Sequence, residues 1–204
     1  MNDLINQSWY LLIKDIITFL FTSAGLIIAS TGLATWKKQM KGTKEFDTAY
    51  NLNYAVLRLR DAIKSVRNPA IWPSESHRAI EYLKSKYPEK SIKELEKDSH
   101  AAVYEIRWEE ITKASTEMES YLLAAEVLWK SDILELIKPL NEKINELNIA
   151  LIRNFEPELR SGDLIEIRNV IYNKGDGSTG EDAFSQEVNK LVKDIADYLQ
   201  SKMS

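Results

Sequence analysis

Residues 16–35, IITFLFTSAGLIIASTGLAT, run for twenty positions without a charged side chain, and the reading of the whole chain turns on them. As an α-helix rising about 1.5 Å per residue, such a run covers about 30 Å, the thickness of a bilayer hydrocarbon core. Every side of it is apolar or small, whereas a surface helix of a soluble domain keeps a polar face. Trp9 and Tyr10 precede the run and Trp36 follows it, where amphipathic rings favour the membrane–water boundaries. Lys14 and Asp15 can snorkel outward.

Charge fixes an orientation. Lys37, Lys38, Lys41 and Lys44 follow the run, while the N-terminal side offers Lys14 beside Asp3 and Asp15. The positive-inside bias then puts residues 1–15 outside, a spanning helix at 16–36 and residues 37–204 in the cytoplasm of a bacterial-type inner membrane. Trp9, Trp36, Lys37 and Lys38 are the expected interface anchors. A cleaved signal peptide would want a basic start and a shorter apolar core; Gly32-Leu33-Ala34 could serve as its cleavage site, but this start is acidic. The net charge of −4 divides unevenly, as −1 over residues 1–35, +5 over 36–70 and −8 over 71–204. The chain has no cysteine, which excludes disulfides, thiolate metal sites and thiol nucleophiles.

Thr18, Thr22, Gly25, Ala29 and Gly32 recur at steps of four and three, so five small residues share one helix face. Gly25-x-x-x-Ala29 is a small-xxx-small pair of the kind that lets two membrane helices approach closely. Self-association through this stripe is an expectation, set against the plain abundance of small residues in membrane helices.

The remainder reads as all-α. Lys41-Gly42-Thr43 suggests a break, with Thr43 capping a new helix to Arg67, where Asn68-Pro69 ends it. Leu52, Val56, Leu59, Ile63 and Val66 form one apolar row and Phe46, Tyr50, Tyr54 and Leu57 a second, which predicts a central helix. Ser76 opens a short helix ending before Tyr87-Pro88. Ser91 and Glu94 make an S-x-x-E capping box ahead of a long helical run. Ser131 or Asp132 recaps it, and Ile133, Ile137, Leu140, Ile144, Leu147 and Leu151 follow as a heptad stripe across Pro139. Two such helices predict a long antiparallel hairpin at the heart of a helical bundle, closed by Phe155-Glu156-Pro157. Residues 163–172 are read as helix rather than strand, with Asp163 and Glu166 near its start. Ala183 to Ser201 is an amphipathic helix with Phe184, Val188, Leu191, Ile195 and Leu199 inward.

Little here carries chemistry. Gly175-Asp176-Gly177-Ser178-Thr179-Gly180 matches G-x-G-x-x-G, but 24 residues remain after it, too few for the second strand and acidic residue of a dinucleotide fold. It fails as a calcium loop as well and reads as a surface turn. His77 and His100 lack partners at zinc spacing, and Glu109-Glu110 with Glu117 and Glu119 read as a solvated face. No catalytic residue, metal site or cofactor is assigned. One polar cluster stands out, with Arg58, Arg60, Lys64 and Arg67 offered to an anionic lipid or partner and Asp61 reaching Arg58 and Lys64. The competing reading is an internal ion-pair network tying this helix to the acidic hairpin.

The run Trp36-Lys37-Lys38-Gln39, Lys41-Gly42, Glu45-Phe46, Ala49, Leu57-Arg58-Leu59-Arg60-Asp61-Ala62-Ile63 and Val66-Arg67-Asn68-Pro69, behind one membrane helix, resembles a group of uncharacterised bacterial single-pass membrane-anchored helical proteins. That resemblance covers residues 16–70, implies bacterial origin and an anchor, and transfers no catalytic residue. Three functions are expected in descending order. The first is a non-enzymatic assembly protein holding a cytoplasmic partner at the membrane. The second is an oligomeric membrane-perturbing effector under a cytoplasmic sensor; some small bacterial proteins of this layout act so in phage defence, by analogy of architecture alone. The third is an enzyme of unrecognised type. Membrane lipid, a cytoplasmic protein and a second copy are the expected partners, and the acidic domain disfavours nucleic acid.

Overall fold

The computed structural model describes residues 2–155, 161–173 and 182–203. They form six helices: α1 (Asn2–Val66), α2 (Pro73–Lys86), α3 (Ile92–Trp129), α4 (Asp132–Asn154), α5 (Ser161–Ile171) and α6 (Ala183–Met203). Among the described residues there is no strand. The chain divides into two units, Met1–Lys44 and Glu45–Ser204.

In the first unit the apolar run is helical and solvent-exposed apart from the half-buried Ser23, with Phe19, Phe21 and Ile28 each exposed by more than two thirds. Its most apolar 18-residue window has a mean hydropathy of 1.9 and none of it is buried, so by length and composition it could cross a membrane. Thr18, Thr22, Thr31 and Thr35 each donate a hydroxyl to the carbonyl four residues back, at 2.8 to 3.0 Å. That bond leaves no hydroxyl proton in need of water, which a hydrocarbon surrounding requires.

The expected break at residues 41–43 does not occur, for α1 continues through it. One glycine costs a helix only about 1 kcal/mol relative to alanine, and the flanking Lys, Gln, Met and Glu are good helix formers. No proline interrupts the chain before Pro69, and there α1 stops.

In the second unit Leu52, Val56, Leu59, Ile63 and Val66 are buried, but Phe46, Tyr50 and Tyr54 are exposed and Leu57 only half-buried. The helix is therefore packed on one side, not two. The core draws on α1, α3, α4, α5 and α6, from Met118 and Trp129 through Ile137, Leu140 and Leu147 to Ile171 and Ile195. A smaller cluster joins α2 to α3 through Ala79, Leu83, Leu95, Ala102 and Val103.

Helix ends follow their residues. The Ser91–Glu94 box is formed in both directions: Ser91 Oγ accepts the Glu94 N–H, and the Glu94 carboxylate accepts the Ser91 N–H at 2.9 Å. α2 opens at Pro73, three residues before Ser76, because proline suits the first helical position and Glu75 reaches back to the Trp72 N–H at 2.9 Å. α3 ends at Lys130, which takes a φ of 60°, and Ser131 leads directly into α4. Pro139 lies inside α4 without ending it. Residues 161–171 are helical, with Ile167 and Ile171 buried one turn apart. In α6 the inward position after Val188 is Val192, not Leu191, which is half-buried.

Candidate functional site

The basic cluster near the end of α1 separates into members with different partners. Arg58 reaches across to α3, where its Nη1 donates to Glu117 at 2.6 Å, with both side chains partly exposed. Arg60 donates from Nε and Nη2 to the neighbouring Asp61 at 2.9 and 2.8 Å, so Asp61 faces Arg60 rather than Arg58. Lys64 is exposed.

Arg67 departs from the expectation altogether. It is 1% exposed and therefore closed to a lipid surface. The position explains this: Leu59, Ile63 and Arg67 follow one another at four-residue steps, which carries the guanidinium onto the buried face. Its Nε donates to the Val170 carbonyl at 2.6 Å and its Nη2 to the Asn169 carbonyl at 3.0 Å. Both carbonyls belong to the last turn of α5, whose acceptors have no partner within their own helix. The other edge of the fork meets Asp182 at 2.7 and 3.0 Å and Ser185 Oγ at 2.5 Å, with the group lying 4.4 Å over the Phe184 ring. Asp182 in turn accepts the Ser185 N–H at 3.0 Å and so caps α6. One buried cation thus fastens the end of α1, the C-terminus of α5 and the N-terminus of α6. Burial pushes the Asp182 carboxyl up, but the bonds from Arg67 and Ser185 outweigh it and hold the group below its ordinary value.

Arg107 in α3 has a parallel role that the sequence reading missed. It is 5% exposed and donates to the Asn68 and Ala70 carbonyls at 2.6 Å each and to both oxygens of Glu75 at 2.8 and 2.9 Å. It pins the α1–α2 connection and braces the acid that caps α2. Glu75 is lowered chiefly by that hydrogen bond, against some burial. The signal was present: Val103, Arg107 and Ile111 stand at four-residue steps on a buried face.

Two recesses accompany these clusters. A groove of about 380 Å³ is lined by Lys143, Glu146, Asn169, Asp182, Phe184 and Glu187. Lys143 bridges Glu146 and Glu187 at 2.8 and 2.5 Å; burial would lower it, yet the two carboxylates raise it. A second recess of about 210 Å³ holds Tyr104, Trp108, Leu151, Ile152 and Phe155. Burial raises the Tyr104 phenol well above its ordinary value, which keeps it neutral. Each displaced acid or base named here keeps the charge it normally carries, and none moves toward neutral pH.

The other candidates fall as follows. Thr18, Thr22, Gly25, Ala29 and Gly32 lie on the helix of the first unit, and a Cβ added at Gly25 or Gly32 would meet nothing within 4 Å. Trp9 and Trp36 are 62% and 55% exposed, and Lys37 and Lys38 are exposed beside Trp36. His77 is exposed and 3.4 Å from Glu81, while the His100 ring lies 5.5 Å from Tyr104. Among the described residues no group of three or more His, Asp or Glu side chains is placed to hold a metal. The turn 174–180 lies outside the described residues. No family model, curated protein or solved structure matches the chain.

Proposed function

We propose that this chain is a single-pass anchor protein of a bacterial inner membrane whose cytoplasmic helical bundle, built on an α3–α4 hairpin, holds a protein partner at the membrane. The observation that carries this reading is the contrast between the two units: an apolar helix with none of its window buried, against a separately packed unit with a core of its own. The Lys37–Lys44 block that closes the first unit suits a cytoplasmic anionic leaflet. The second unit also supports adhesion over catalysis. Its buried arginines are engaged in fastening helix ends, and its displaced acids and bases move away from neutrality rather than toward a poised proton transfer.

The test is affinity purification of the tagged full chain from native membranes, with mass spectrometry. One partner recovered in fixed proportion supports the reading. Recovery of lipid alone, across several expression levels, contradicts it.

The small-residue stripe of Thr18, Thr22, Gly25, Ala29 and Gly32 is the sequence feature behind a second reading, an oligomeric membrane-perturbing effector. Growth arrest with loss of membrane potential on overexpression, abolished by deleting residues 1–36, would favour it over the anchor.

A further inference from the structure

The groove of about 380 Å³ between α4 and α6 does not end at Lys143. It shares Lys143, Glu146 and Glu187 with a further recess of about 450 Å³ that continues past Pro139 and Leu191. Together they follow α6 from Ala183 to Asp194, about 18 Å of helix. Phe184, Pro139 and Leu191 give this cleft an apolar floor, and its walls are acidic. Glu142 and Glu146 stand one turn apart on α4, opposite Glu187 and Asp194, two turns apart on α6. These four carboxylates meet only two lysines in the lining, Lys143 and Lys190, while Asp182 is already held by Arg67. Lys143 shows what such walls accept: its ammonium lies between Glu146 and Glu187, at 2.8 and 2.5 Å, and 5.2 Å over the Phe184 ring. Glu142 and Asp194 are exposed and, among the described residues, neither is in an ion pair.

We propose that this cleft is where the partner docks, and that the docking element is a lysine- or arginine-rich segment whose cations engage Glu142 and Asp194 as Lys143 engages Glu146 and Glu187. Charge complementarity selects the occupant. Residues 71–204 carry a net charge of −8, and the cleft gathers part of that excess along an apolar floor, the arrangement that steers a basic partner and fixes its register. Length selects a stretch of chain over a single small cation, because about 18 Å takes about five extended residues or three turns of helix. The proposal rests on the scaffold reading above and names the chemistry of its partner.

The probe is a fluorescein-labelled decalysine peptide, its anisotropy followed against the detergent-solubilised full chain at low salt. Glu142→Gln with Asp194→Asn should weaken binding about fivefold. Glu109→Gln with Glu119→Gln removes the same charge from exposed acids of α3 outside the cleft and should change it less than about twofold. Lys143→Met, which releases two cleft carboxylates, should tighten binding more than Lys113→Met, which releases Glu110 on α3. No binding by the parent, or equal effects within either matched pair, would overturn the cleft as the site. Affinity purification from native membranes, with the Glu142→Gln, Asp194→Asn chain beside the parent as bait, separates the cleft from the scaffold reading. A partner recovered equally by both baits defeats the cleft alone, whereas no partner for the parent defeats the scaffold reading and the proposal with it. Loss of a partner bearing a basic segment supports both; a lost partner that is a second copy of this chain, or that has no basic segment, overturns the occupant.

Discussion

Arg67→Ala should destabilise the second unit more than truncation of any other charged side chain in α1. The native guanidinium makes five bonds of 3.0 Å or less, to the Val170 and Asn169 carbonyls, to both Asp182 oxygens and to Ser185. Truncation removes the guanidinium from the Asp182 carboxylate, which is 18% exposed, and withdraws the donors that the Val170 and Asn169 carbonyls of α5 accept from. Removing one partner of a buried pair costs about 3–5 kcal/mol. For a domain of this size each kcal/mol moves Tm by about 2–4 °C, so a fall of roughly 6–20 °C is expected. Arg67→Lys keeps the charge but loses the planar fork and should fall between the two. The assay is thermal unfolding by circular dichroism of the detergent-solubilised full chain, with Arg58→Ala as the exposed comparison, for which about 1 kcal/mol or less is expected. A change below about 2 °C for Arg67→Ala, or Arg67→Lys indistinguishable from the parent, would refute the fastening role.

Acid should weaken the same unit in a predictable window. Asp182 and Glu75 both have depressed values when folded, so their contribution is complete above the unfolded values near pH 4–4.5 and is lost as pH falls through the folded ones. Tm measured from pH 7 to pH 3 should decline below about pH 4.5, and Asp182→Asn with Glu75→Gln should flatten that decline; an unchanged slope would count against it. Ser91→Ala removes the cap of α3 and should cost about 1 kcal/mol in urea unfolding with m unchanged. A Cβ added at Gly25 meets nothing within 4 Å and leucine keeps the segment apolar, so Gly25→Leu should leave membrane insertion intact while reducing in-membrane cross-linking; Leu20→Ala, off the small-residue face, should not. Equal cross-linking by both variants would reduce the stripe to composition.

Much of the fold was readable because local rules and packing agreed. The Ser91–Glu94 box, the heptad row of α4 and the apolar row from Leu52 to Val66 all specify helices by short-range chemistry, and each is helical with its apolar face inward. The helix over residues 161–171 was harder, since its β-branched residues suit a strand, and burial of Ile167 with Ile171 shows the one-turn spacing that decides it. Two misreadings share a cause. Gly42-Thr43 and the row Phe46–Tyr50–Tyr54 were judged from local composition, but a lone glycine is tolerated within a long helix, and an apolar row names a sticky face without naming what covers it. Arg67 and Arg107 show the reverse problem. Each is a charge on a buried periodic row, a pattern that points inward, yet their partners lie as far away as Asp182 and Asn68 in sequence. Long-range pairing of that kind leaves no trace in spacing.

The central claim is that residues 16–36 hold the chain in a membrane with the second unit on the cytoplasmic side, and fusion topology tests it most directly. A C-terminal reporter active in the cytoplasm should function and stay with membranes through carbonate extraction, while an alkaline phosphatase fusion at the same position should be inactive. An active phosphatase, a chain released by carbonate, or a mature protein beginning near Thr35 would contradict it.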